Sequence, residues 1–98
     1  MNNFNFSVLE GTLNNNPSVV GETCFFTISC NRSYTRKDGT KVEDSYNFDI
    51  VTEGKLATTC FKYLKAGSRV LVSGALRKSD AKMCLGAREI NFLSEATL

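Results

Sequence analysis

Histidine is absent from this 98-residue chain. Its absence excludes every triad, dyad or metal cluster that depends on an imidazole. No window approaches the ~20 apolar residues that cross a bilayer. The opening Met1-Asn2-Asn3-Phe4-Asn5 has neither the basic start nor the apolar run of a signal peptide. A cytoplasmic protein without membrane contact is the expectation. Charge of one sign is scarce as well, because 12 Lys and Arg face 10 Asp and Glu for a formal net charge of +2. Nucleic-acid binding through overall excess is thereby excluded, and any electrostatic argument rests on where the charges fall. Gly-rich phosphate loops, internal repeats, low-complexity stretches and linkers are all missing. The chain reads as one domain over residues 1–98, small enough for an oligomer to help bury its surface.

Cysteine is present but not arranged for chemistry. Cys24, Cys30, Cys60 and Cys84 form no C-x-x-C pair, so a zinc site would have to be assembled from three strands and a helix. An even count permits two disulfides. However, Cys24 and Cys30 share strand parity with Phe26 and Ile28, and Cys60 lies on a helical apolar stripe. Buried free thiols packed as small hydrophobes are therefore expected. Glu43, Asp44, Asp49 and Glu53 are the one acidic concentration. A carboxylate metal site is the functional alternative, while alternation favours a solvated face of a strand. No metal, no cofactor and no enzymatic activity are expected.

The hydrophobic period is more informative. Leu56, Ala57, Cys60, Phe61 and Leu64 recur at helical spacing, with Lys55, Thr58, Thr59, Lys62 and Lys65 on the other side. Gly67 then stands where a helix end favours positive φ. From there Val70, Val72, Gly74 and Leu76 alternate with Arg69, Leu71, Ser73, Ala75 and Arg77, the period of a strand. Further strands are predicted over 4–13, over 23–34 with Cys24, Phe26, Ile28 and Cys30 on one face, over 43–52, and over 82–93. Phe25 falls on the opposite face and needs cover. Asn14-Asn15-Asn16-Pro17, Asp38-Gly39 and Ser79-Asp80-Ala81 are the turns. Tyr46, Phe48 and Ile50 alternate as core positions. Gly74 and Gly86 read as bends or bulges. Five strands with one short helix between the third and fourth specify an all-β, five-stranded OB-fold Greek-key barrel.

Basic side chains gather at two hairpins. Arg32, Arg36, Lys37 and Lys41 crowd the first, and Arg77, Lys78 and Lys82 the second. In an OB barrel these regions flank the groove for single strands, with Lys55, Lys62 and Arg69 as marginal phosphate contacts. Cations release condensed counterions from phosphates, and aromatic faces stack any base. The bland alternative is a solvated surface. Tyr34, the one aromatic among these cations, is a base-stacking candidate; packing at the barrel rim is its structural alternative.

The words Gly54-Lys55-Leu56-Ala57 and Tyr63-Leu64-Lys65-Ala66-Gly67-Ser68-Arg69-Val70-Leu71-Val72-Ser73-Gly74-Ala75-Leu76-Arg77 resemble the bacterial single-stranded DNA-binding protein family. Leu9-Glu10-Gly11-Thr12-Leu13 followed by Pro17 is similar to its opening strand. The resemblance implies non-specific coating of single-stranded DNA in replication, recombination and repair, and a tetramer built as paired dimers. Phe4, Phe6, Val8 and Leu9, apolar on both sides of their strand, independently invite a two-fold partner. Tyr34 matches a family stacking position. Two other stacking positions fall on Asn47 and Glu53, and the long aromatic hairpin is cut to Ser79-Asp80-Ala81. The family's acidic, aromatic-tipped tail, which recruits replication and repair proteins, has no counterpart in Glu95-Ala96-Thr97-Leu98. Gly67 to Val70 and Lys82 to Ala87 also resemble the primosomal replication protein B family, an accessory of replication restart. A module that only bridges proteins is the third expectation.

Overall fold

The computed structural model describes residues 3–93. Met1, Asn2 and residues 94–98, and so the terminal Glu95-Ala96-Thr97-Leu98, lie outside the described residues. The elements are β1 (Ser7–Leu13), β2 (Ser18–Val20), β3 (Thr23–Thr35), β4 (Lys41–Glu53), α1 (Gly54–Tyr63), β5 (Arg69–Ser79) and β6 (Lys82–Leu93). The sheet order is β1-β5-β6-β4-β3-β2, and a further β1–β3 pairing joins its ends. The strands β1, β5, β6, β4 and β3 thus form a closed ring, antiparallel except where β4 meets β6. This is the OB-fold circuit that the hydrophobic periods predict. β2 lies outside the ring as an exposed edge on β3, in a stretch for which the sequence signalled only the preceding turn.

Closure depends on β1 serving two neighbours. It pairs with β5 from Ser7–Gly74 to Thr12–Arg69 and with β3 at Thr12–Ser29 and Leu13–Ile28. A Cβ on Gly11 would stand 2.6 Å from the Ser29 carbonyl oxygen, so the approach to β3 requires glycine. Upstream of β1, the Asn5 side chain imitates a ladder pair. Its amide donates to the Leu76 carbonyl at 2.9 Å and accepts from the Leu76 N–H at 3.1 Å.

Inside the ring, Leu13, Cys24, Phe26, Ile28, Ile50, Val70, Val72 and Leu85 form the core with Ala57 and Cys60 of α1 and Leu64 just beyond it. Each strand contributes alternate residues, as its pleat dictates. Register slips by one residue between Ser73 and Gly74, which bends β5 and β6 as a bulge does. A Cβ on Gly74 would lie 2.0 Å from the Gly86 carbonyl oxygen, a contact with backbone that cannot give way.

Two expectations about the helix need correction. Phe61 was assigned to the buried stripe but is 56% exposed. The ring admits only Ala57, Cys60 and Leu64, with Leu56 packed beside them, and Phe61 lies one step round the helix against Val19 and Gly21. The helix ends at Tyr63, where the Leu64 N–H reaches the Cys60 carbonyl at 2.9 Å. Gly67 has φ +95°, as its residue type favours, but in the turn beyond, where its N–H reaches the Leu13 carbonyl at 3.0 Å.

All four cysteines are free. Cys24 and Cys60 are buried as expected, whereas Cys30 and Cys84 are only half-buried. Burial pushes the Cys60 thiol from 9.0 up to about 11, with Cys24 adding to the rise. The fold thus favours the protonated thiol. Its stabilising contribution is complete below about pH 9 and drains away as pH climbs towards 11. Unfolding free energy measured by denaturant titration should fall across that interval, and Cys60→Ser should flatten the fall. A second prediction concerns the β5–β6 turn, whose Asp80 and Ala81 adopt φ of 50° and 67°. An alanine there is strained, whereas glycine is not. Ala81→Gly should raise stability by about 0.5–1 kcal/mol after glycine's entropy cost; a lower denaturation midpoint would contradict the turn geometry.

Candidate nucleic-acid interface

β3 and β4 pair without interruption from Thr23–Glu53 to Thr35–Lys41. Opposed residues share a face, so the outward face carries Phe25 with Val51, Thr27 with Asp49, and Ser29 with Asn47. A cleft of about 450 Å³ crosses this face. Phe25, Thr27, Asp49 and Val51 line it, between Asn15 and Ser18 on one side and the β5–β6 hairpin with Asp80 and Lys82 on the other. Cys84 and the edges of the buried Phe26 and Ile50 complete the lining. Of the two aromatics that line it, Phe26 is buried and Phe25 is 39% exposed.

Hydrogen bonds stiffen the floor. The Thr27 hydroxyl donates to Asp49 Oδ1 at 3.2 Å. Ser29 Oγ stands 2.6 Å from Asn14 Oδ1 and 2.8 Å from Asn47 Oδ1, so its proton serves either acceptor. Asn14 Nδ2 also donates to Asn47 Oδ1 at 3.1 Å. Asn47, where the resemblance places a stacking aromatic, is thus a polar tie between strands.

The opposite face of the hairpin starts in the core with Phe26 and Ile28 and continues past it. Its pairs are Ile28–Phe48, Cys30–Tyr46, Arg32–Asp44 and Tyr34–Val42. Tyr46 and Phe48, expected as core, are 50% and 37% exposed. The ladder there has no bulge, so their parity is as predicted, but the hairpin outruns the barrel and no wall stands opposite. From Cys30 to Arg36 this arm reaches roughly 20 Å at 3.3 Å per residue. The Arg32 guanidinium lies 4.5 Å from the Tyr34 ring centroid, a cation–π contact. At the tip the Arg36 N–H reaches the Thr40 carbonyl, and Gly39 turns at φ +90°. The Thr40 N–H donates to the Asp38 carboxylate at 2.8 Å and holds its pKa below the usual range. Arg36, Lys37 and Lys41 are exposed around this turn.

The predicted basic residues therefore occupy three places. Lys82 lines the cleft, and Arg77 lies on its flank across Gly86, 3.1 Å from Glu53. Lys78 alternates to the other face of the same hairpin from Arg77. Arg32, Tyr34, Arg36, Lys37 and Lys41 belong to the arm. Lys55 and Lys62 are exposed on α1, with Lys62 Nζ 5.3 Å from the Tyr63 ring. Arg69 pairs with Glu10 at 2.9 Å. Both ion pairs are well exposed and contribute about 0–1 kcal/mol each, so they leave the guanidiniums free to exchange partners. Among the described residues, no group of three or more His, Cys, Asp or Glu converges as a metal site, and no helix is long and apolar enough to cross a membrane. The sequence marks Phe25 only as an outward residue that needs cover, and the structure puts it in the cleft.

A five-strand ring with an open cleft across two strands, bordered by one short hairpin, defines an OB-fold barrel of the groove-bearing kind. The model of the Single-strand binding protein family matches residues 4–89, and the chain belongs to that family. Among solved structures, the barrel superposes with TM-score 0.81 on a deletion mutant of the single-stranded DNA binding protein from Thermus aquaticus, at 20% identity. That match covers 95% of this chain and only 52% of the other, so the chain spans about half its length. A Plasmodium falciparum protein of this kind, solved in complex with single-stranded DNA, gives 0.79 at 20% identity and coverage of 96% and 98%. The small single-stranded DNA-binding protein from Streptomyces coelicolor gives 0.74 at 19% identity, with 94% of each chain covered. These likenesses establish the fold. Among curated proteins none matches the chain.

Proposed function

We propose that this protein binds single-stranded DNA across the outward β3–β4 face and coats it, without catalysis, in replication, recombination and repair in the cytoplasm. One observation carries the reading: an exposed aromatic, Phe25, on the floor of an open cleft with Lys82 beside it and Arg77 on its flank. An aromatic face accepts any base, and neighbouring cations neutralise phosphates. Membership of the Single-strand binding protein family supports it. From the cleft the strand passes round the edge of the arm to its opposite face, where Tyr34 stacks and Arg32 takes a phosphate, with Arg36, Lys37 and Lys41 taking phosphates around the tip. Lys78 and the outlying Lys55, Lys62 and Arg69 extend the track.

The working unit is an oligomer, a tetramer of paired dimers or a single two-fold pair. Phe4 is 91% exposed, and Phe6 and Val8 are exposed beside it, an apolar strip that a second copy would cover. A second reading has one observation in its favour. Asp49 and Asp80 share the cleft with a single lysine, and a weakly binding accessory of replication restart, or a bridging module, fits such a balance.

Titration of labelled oligo-dT against salt tests these readings together. Engagement of about four to six phosphates gives a log–log slope of roughly −3 to −4, at about −0.7 per phosphate. Tyr34→Ala should cost about 1–3 kcal/mol with the slope unchanged. Arg36→Ala should instead flatten the slope by nearly one contact's share. Duplex binding as tight as single-strand binding, or insensitivity to salt, would contradict the proposal, and absence of binding to oligo-dT would favour the bridging module.

A further inference from the structure

A carboxylate in a groove for single strands works against the phosphates, yet Asp49 lies in the cleft beside the exposed ring of Phe25. Its position is held. Thr27 stands directly across the ladder and donates its hydroxyl to Oδ1 at 3.2 Å. Oδ2 and the second lone pair of Oδ1 remain as acceptors. Phe25 pairs with Val51, so Phe25 and Asp49 are diagonal neighbours across the strands, about 7–8 Å apart and within an aromatic side chain's reach. A base stacked on Phe25 therefore brings its edge to the carboxylate, with Lys82 in the same cleft for the adjoining phosphate.

We propose that this corner of the cleft is a base-selective subsite for guanine, which donates N1–H and an N2–H to the Asp49 carboxylate while its ring stacks on Phe25. The proposal rests on the single-strand reading above. Chemistry distinguishes the bases. Guanine offers two adjacent donors to the two oxygens of a carboxylate, the bidentate match that discriminates best. Adenine and cytosine offer one amino group beside an acceptor nitrogen, which the carboxylate repels. Thymine's single N–H lies between two carbonyls, so it is the poorest fit. Most of the affinity stays indifferent to sequence, and one position is read.

The test uses short dT strands of equal length carrying one central dT, dG or dI, titrated by fluorescence anisotropy. The dG strand should bind about fivefold or more tighter than all-dT, the lower end of a bidentate contact's range. The dI strand, which lacks only the N2 amino group, should lose most of that gain. Asp49→Asn keeps an acceptor for Thr27 but removes the charge, so it should abolish the dG preference and tighten binding to dT. The dG–dI comparison needs no variant. Equal affinity for the three strands, or a preference unchanged in Asp49→Asn, overturns the subsite and leaves single-strand binding intact. Failure to bind any strand overturns the single-strand reading, and the subsite with it.

Discussion

The register of the β3–β4 hairpin decides the rest of the molecule. Thirteen residues on each strand pair in sequence from Thr23–Glu53 to Thr35–Lys41. A slip of one residue by either strand would exchange that strand's inward side chains for outward ones. A slip of β3 would bury Thr27 and expose Phe26 and Ile28, and a slip of β4 would bury Asp49 and expose Ile50. Each of those three apolar side chains gains about 1.5–3 kcal/mol from burial, so the core enforces the register. The cleft is the other side of the same ladder: Phe25, Thr27, Asp49 and Val51 face outwards because their neighbours face in.

Ring closure then determines what surrounds the cleft. β1 can pair with both β5 and β3 because Gly11 passes close to Ser29. β6 can lie parallel to β4 at Ile50–Leu85 and Val51–Gly86, which brings the β5–β6 hairpin to the cleft's edge. That hairpin turns on two residues, Asp80 and Ala81, and so cannot fold over the groove. Where the family resemblance implies a long aromatic hairpin, this chain places one lysine, Lys82, in the cleft and leaves that side open. Stacking is correspondingly thin, and charge carries a larger share of the proposed affinity. In the proposed subsite, that thinness gives a fixed polar group such as Asp49 more influence on which base is held.

Much of this was legible in the residues. The alternation of Val70, Val72, Gly74 and Leu76 located β5, and the switch from helical to strand period located the end of α1 to within a turn. Asp38-Gly39 placed the long hairpin's tip. Periodicity fails where it predicts a face without predicting what stands opposite. Tyr46 and Phe48 have core parity but extend past the barrel, and Phe61 borders the helix's apolar stripe but misses the ring's mouth. β2 was invisible for a different reason: Ser18–Val20 is three exposed residues whose strand character comes from pairing with Thr23–Phe25. Phe25 was visible as an outward aromatic, yet only the cleft around it distinguishes a binding face from a surface awaiting a partner.

Amide chemical-shift mapping with a short single strand tests the central claim most directly, because it reports which face is occupied without any substitution. If the strand lies across the outward β3–β4 face, perturbations should centre on Phe25, Thr27, Asp49 and Val51, spread to Lys82 and Cys84, and pass round the arm's edge to Tyr34 on its opposite face. Perturbations confined to the shallow hollow between Val19 and Phe61, with the cleft residues unmoved, would contradict the account.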